Sequence, residues 1–159
     1  MSLAADIVTR ALEAGVTITT AESCTGGLVA GALTDIAGSS GMFERGVITY
    51  SNAAKTALLG VSVATLDAKG AVSEEVAAQM AQGARATAGA DIAISVTGIA
   101  GPGGSDFKPE GRVCFGLATP EGVTTQTVEF GALGRAKVRA AARDHALGLL
   151  AAALDPAEP

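Results

Sequence analysis

Apolar positions along the chain switch repeatedly between a helical spacing and short β-branched runs, and that alternation outlines the fold. Ser2 is placed to cap a first helix in which Leu3, Ile7, Val8, Ala11 and Leu12 recur at helical intervals until Gly15 stops it. A short strand is predicted over residues 16–20. Leu28, Val29, Ala32, Leu33 and Ile36 then mark a second helix, entered through Ser23-Cys24-Thr25-Gly26-Gly27 and left at Gly38-Ser39-Ser40-Gly41. Residues 43–50 read as a strand carrying Val47, Ile48 and Thr49. Ser51-Asn52 offers capping oxygens for a helix that holds Lys55, Leu58 and Leu59 and ends at Gly60, and a short helical turn is predicted over residues 62–68. A longer helix starts at Ser73, with Glu74 and Glu75 at its positive end and Val76, Met80 and Ala84 on its buried side.

Residues 91–97 form an apolar run, with Ile92, Ala93, Ile94 and Val96, that reads as a strand covered on both faces and so central in its sheet. After a glycine- and proline-rich loop, residues 112–119 and 123–130 read as strands joined by Pro120-Glu121-Gly122, a connection short enough for an antiparallel hairpin. An alanine-rich helix over residues 133–154 closes the pattern, and 155–159 read as a frayed tail. Five strands interleaved with helices imply an α/β fold: one three-layer α/β/α domain over residues 1–159, around a mixed, mostly parallel five-stranded sheet.

Composition narrows the function. The chain has 159 residues, 48% of them apolar, with no Trp, one Tyr and four Phe, so the core must be built from Ala, Val, Ile and Leu in close helix-on-sheet contact. Its 21 glycines cluster at the ends of apolar runs, where they suit backbone-lined binding loops. A net charge of −5, with no dense run of Lys or Arg, argues against nucleic acid as a ligand. With no apolar stretch of about 18 residues and no basic, apolar leader at the start, a cytoplasmic protein without membrane contact is expected. Cys24 and Cys114 show neither metal-ligand spacing nor a disulfide framework and are expected as free thiols.

Three segments have chemical promise. Thr19-Thr20-Ala21-Glu22-Ser23-Cys24-Thr25-Gly26-Gly27 lies where a strand hands over to a helix, a place where unpaired N–H groups stabilise an anion and glycines admit a ligand; the same hydroxyls also suit a plain helix cap. Ser23, at the mouth of that turn, needs a base to act as nucleophile. The sole histidine, His145, lies in the last helix without a local motif and reads as a packing or surface residue. A lysine kept uncharged by desolvation is the alternative, and Lys55, among small alanines one turn past a strand end, is the best candidate, although helix lysines are ordinarily solvated. Thr97-Gly98-Ile99-Ala100-Gly101-Pro102-Gly103-Gly104 is neither a Walker A loop nor a dinucleotide fingerprint. It suits wrapping a phosphate or ribose at the sheet edge, or simply turning the chain. Of Arg135, Lys137, Arg139 and Arg143, Arg139 is singled out as a phosphate contact.

Taken in order, Thr20-Ala21-Glu22-Ser23-Cys24-Thr25-Gly26-Gly27, Gly38-Ser39-Ser40, Tyr50-Ser51-Asn52 with Lys55, Gly70-Ala71-Val72-Ser73 and Val96 through Gly104 resemble the successive signatures of the CinA C-terminal-domain family. The resemblance spans nearly the whole chain. It implies an amidohydrolase that converts nicotinamide mononucleotide to nicotinic acid mononucleotide and ammonia in pyridine nucleotide recycling, with a serine–lysine pair at Ser23 and Lys55. Tyr50 and Thr97 would orient groups or relay protons. Thr20, Glu22, Cys24, Thr25, Gly26, Gly27, Gly98, Gly101, Gly103 and Arg139 would bind the substrate. Neither cofactor nor metal is implied, the partner is a small nucleotide, and a homodimer of the stand-alone form is expected. Where relatives read Lys-Pro-Val-Gly-Thr-Val, this chain has Lys108-Pro109-Glu110-Gly111-Arg112-Val113. Two other classes stay open: a nucleotide-sensing interaction module without turnover, and a cysteine hydrolase acting through Cys24.

Overall fold

The computed structural model describes residues 1–105 and 107–155. The chain runs α1 (Leu3–Ala14), β1 (Ile18–Glu22), α2 (Leu28–Thr34), a 3-10 turn (Ser39–Gly41), β2 (Phe43–Ile48), α3 (Asn52–Leu59), α4 (Val63–Lys69), α5 (Glu74–Ala88), β3 (Ile92–Gly98), β4 (Arg112–Thr119), β5 (Gly122–Glu129) and α6 (Arg135–Ala153). The local signals read at Ser2, Ser51, Ser73, Gly15 and Gly60 act as expected, and Ser62 and Gly89 add a further start and stop. Ser2, Ser51, Ser62 and Ser73 each accept a backbone N–H at a helix start, and Gly15, Gly60 and Gly89 close helices in left-handed conformation. Of the tail expected at 155–159, Asp155 is described, its carboxylate 2.6 Å from the Arg10 guanidinium, and 156–159 lie outside the described residues.

The sheet order is β2-β1-β3-β4-β5. β1 pairs in parallel with β2 and β3, and β4 pairs antiparallel with both β3 and β5, so β4 alone runs against the other strands. β3 is central and buried on both faces, as its uninterrupted apolar run implies. Some boundaries moved: α2 ends at Thr34, before Ile36, β2 ends at Ile48 rather than 50, and β1 covers Ile18–Glu22, not 16–20. The Val16 N–H is taken by Ala11 at the end of α1 and the Thr17 N–H by the Asp91 carboxylate, so the ladder begins later. It then runs on through a buried glutamate that a polarity pattern assigns to a loop.

Two core layers flank the sheet. Ile7, Val8, Val29, Leu33, Val138 and Leu150 from α1, α2 and α6 pack on one face, and Leu59, Leu66, Val76 and Met80 from α3, α4 and α5 on the other. The alanine-rich composition lets these layers close up. At Gly83 in α5 an added Cβ would fall 1.8 Å from the Leu59 carbonyl oxygen, so the end of α3 rests on bare backbone. Among the described residues no helix is long and apolar enough to cross a membrane. Because β1, β2 and β3 run in parallel, their carboxyl ends deliver Ser23, Tyr50 and Thr97 to one edge of the sheet, where ligands of open α/β sheets bind.

Candidate active site

Ser23 directly follows β1, and its N–H continues the ladder by donating to Val96 at 2.9 Å. The buried Glu22 just before it turns its carboxylate to α2, accepting from the Val29 N–H at 2.9 Å and the Ala30 N–H at 3.0 Å. Leu28 N–H goes to the Thr25 carbonyl. The α2 terminus, expected to face a ligand, is thus already capped by the chain's own carboxylate. In the turn before it, the Cys24 and Thr25 N–H groups meet no protein acceptor among the described residues. Arg139 fixes that turn from behind, donating to the Cys24 carbonyl at 3.0 Å and the Thr25 carbonyl at 3.2 Å.

Lys55 sits one turn into α3, whose start is set by Ser51 accepting the Ala54 N–H. It is 2% exposed, and its Nζ lies 3.0 Å from Ser23 Oγ while donating to the Thr49 carbonyl at 2.9 Å. Among the described residues no carboxylate contacts the amine. Burial, which disfavours the ammonium, therefore lowers its pKa without an opposing ion pair. An uncharged amine that gives one N–H to Thr49 keeps its lone pair for the Ser23 hydroxyl. The neighbouring Cys24 thiol is pushed the other way, up to about 11, again by burial.

The pair opens into a cavity of about 330 Å³. Of the residues singled out from sequence, Ser23, Cys24, Tyr50, Lys55, Thr97, Gly98, Gly101 and Gly103 line it. Thr20, Glu22, Thr25, Gly26, Gly27 and Arg139 do not. Thr20 and Thr25 are fully buried with hydroxyls that have no partner among the described residues, Gly26 lies over the Arg139 guanidinium and Gly27 against Ile48. The Thr97 hydroxyl donates to the Ala71 carbonyl at 2.8 Å, and the Gly103 N–H to Glu110 at 2.7 Å. His145 lies on Phe115 with ring centroids 4.6 Å apart and bonds Gln126, in a packing role.

Asn52 and Lys108, given no site role from sequence, and Arg135, weighed there as a phosphate contact but set behind Arg139, all border the cavity. Arg135 opens α6 and reaches the Gly101 carbonyl at 2.7 Å and the Tyr50 hydroxyl. Nothing local separates it from Arg139: both are arginines in the first turns of one helix, and only the docking of α6 on α2 turns one outward and the other under the Cys24–Thr25 turn. Lys108 fastens to the Lys69 carbonyl at 2.7 Å and to that of Val72.

The sequence matches the family described as "CinA C-terminal domain" over residues 1–154. It is 63% identical over 106 residues to the nicotinamide-nucleotide amidohydrolase PncC of Enterobacter agglomerans, covering 66% of this chain and 65% of that protein. With a CinA-like protein of Chlorobium phaeobacteroides it shares 58% identity over 123 residues, 75% of this chain but 29% of the longer relative. Aligned regions thus span less than two thirds of both relatives. Among solved structures, the competence/damage inducible protein CihA from Agrobacterium tumefaciens superposes with a TM-score of 0.92 at 47% identity, over 97% of this chain and 94% of that one.

Proposed function

The chain belongs to the CinA C-terminal-domain family, and on that premise we propose that it hydrolyses the carboxamide of nicotinamide mononucleotide to nicotinic acid mononucleotide and ammonia, with Ser23 as nucleophile and Lys55 as base. The observation that carries this reading is the buried Lys55 amine 3.0 Å from Ser23 Oγ with no carboxylate beside it. The amidohydrolase name of the 63% identical relative supports the substrate class.

Neutral Lys55 takes the Ser23 proton as Oγ attacks the carboxamide carbon. The carbonyl oxygen of the tetrahedral adduct meets the free N–H groups of Cys24 and Thr25. Gly98 N–H offers a further donor: Ile99 N–H points to β4, so strand alternation turns Gly98 N–H to the Ser23 side. The adduct collapses as the Lys55 ammonium returns the proton to the leaving nitrogen, releasing ammonia and leaving an ester on Ser23. Water, deprotonated by the same amine, then adds to the ester carbon. Breakdown of that adduct frees the acid, and the proton held on Lys55 returns to Ser23.

Tyr50 and Thr97 border the reaction space, Thr97 by holding the Ala71 carbonyl and Tyr50 by meeting Arg135. In this reading the phosphate lies toward Arg135. Arg139, the contact expected from sequence, spends its donors on two carbonyls of the nucleophile turn. Cytoplasmic recycling of pyridine nucleotides by a homodimer completes the proposal.

An ammonia-release assay comparing nicotinamide mononucleotide with its riboside and with nicotinamide tests the reaction and substrate together. Release from the mononucleotide alone is expected; calorimetric binding of the mononucleotide with no ammonia would favour a sensing module instead. A Cys24 nucleophile is disfavoured because its thiol stays protonated at neutral pH.

A further inference from the structure

Glu110 lies between the glycine loop and β4. Its two carboxylate oxygens accept from two separate segments beside the cavity: Oε1 from the Gly103 N–H at 2.7 Å, and Oε2 from the Gly134 N–H at 2.9 Å. Gly103 belongs to the glycine loop, and Gly134 immediately precedes α6, whose first residue, Arg135, lines the same cavity and bonds the Gly101 carbonyl. The carboxyl group also lies flat on Gly101, where a Cβ would stand 2.5 Å from its Cδ. Gly101 and Gly103 have φ of 90° and 78°, a conformation that glycine adopts readily, and neither carries a side chain of its own to fix the loop.

From this geometry we infer that Glu110 is a positioning residue: it ties the Gly101–Gly104 loop to the start of α6 and so holds Arg135 and the loop preformed for the nucleotide portion of the substrate. Valine accepts no hydrogen bond, so without the carboxylate the loop and Arg135 must be ordered when substrate binds, which weakens binding rather than chemistry.

The inference rests on the amidohydrolase reading, and its test separates the two. In Glu110→Val, KM for nicotinamide mononucleotide rises about tenfold while kcat stays within about twofold. Glu110→Gln, which keeps one acceptor, falls between. The direction is diagnostic, because removing a negative charge near a phosphate by itself lowers KM. Amide exchange by NMR on the ligand-free protein reads the tie independently: Gly103 and Gly134 lose protection in Glu110→Val. An unchanged or lowered KM, an equal fall in kcat, or unaltered exchange at both amides overturns the inference. Wild-type protein that releases no ammonia defeats the hydrolase reading and leaves amide exchange to decide the tie.

Discussion

Lys55 and Ser23, 32 residues apart, meet at 3.0 Å because β1 and β2 are paired in parallel with Glu22 opposite Ile48. That register ends both strands at the same level. The serine turn leaves one strand while α3 folds back from the other, bringing its first turn over the hydroxyl. Thr49, between β2 and α3, supplies the carbonyl that takes one lysine N–H. Position and a lowered pKa thus come from a single piece of topology, since the crossing that brings the amine to Ser23 also removes it from water.

Ser23→Ala and Lys55→Met are expected each to lower kcat by about a thousandfold or more, the usual consequence of removing a nucleophile or its base. Circular dichroism should show both folded. Retention of near-wild-type ammonia release by either protein assigns the chemistry elsewhere.

Acid should inhibit. With its pKa lowered by burial, Lys55 is an active base above that lowered value and inert below it, so kcat/KM falls as pH drops through it. Lys55→Arg should stay inactive at every accessible pH because a guanidinium does not deprotonate. Stability follows the same sign. Between the lowered folded-state value and the ordinary 10.5 the unfolded chain binds more protons, so wild type gains stability relative to Lys55→Met as pH rises across that window and loses it again on acidification. Urea titrations of both proteins at several pH values measure the slope, and parallel profiles would contradict it.

Glu22 bears on stability through α2. Glu22→Gln turns one acceptor into a donor against a helix N–H, at a cost of about 1–3 kcal/mol. For a chain of this size that lowers Tm by roughly 3–10 °C. A thermal melt unmoved by the substitution would mean that the carboxylate does not cap the helix.

The two arginines of α6 should separate kinetically. Arg135→Ala, at the cavity, is expected to raise KM about tenfold with kcat nearly kept, whereas Arg139→Ala loosens the Cys24–Thr25 carbonyls and should lower kcat about tenfold with little change in KM. Steady-state kinetics on both variants distinguishes them, and the reverse pattern would return the phosphate contact to Arg139.

The layered α/β architecture, the helix caps at Ser2, Ser51 and Ser73 and the central place of β3 were legible in the sequence, because each depends on spacing within about one element. Ser23 and Lys55 were candidates in the sequence, but their local surroundings suit a helix cap and a solvated helix lysine equally well, and it is the family resemblance that implies the pair. Tertiary structure alone decided what their neighbours do. Glu22, Arg135 and Arg139 are long polar side chains whose partners lie on other elements. Which one caps a helix, which borders the cavity and which braces a turn depends on how α2, α6 and the glycine loop pack, and the periodicity of a single chain carries no record of that.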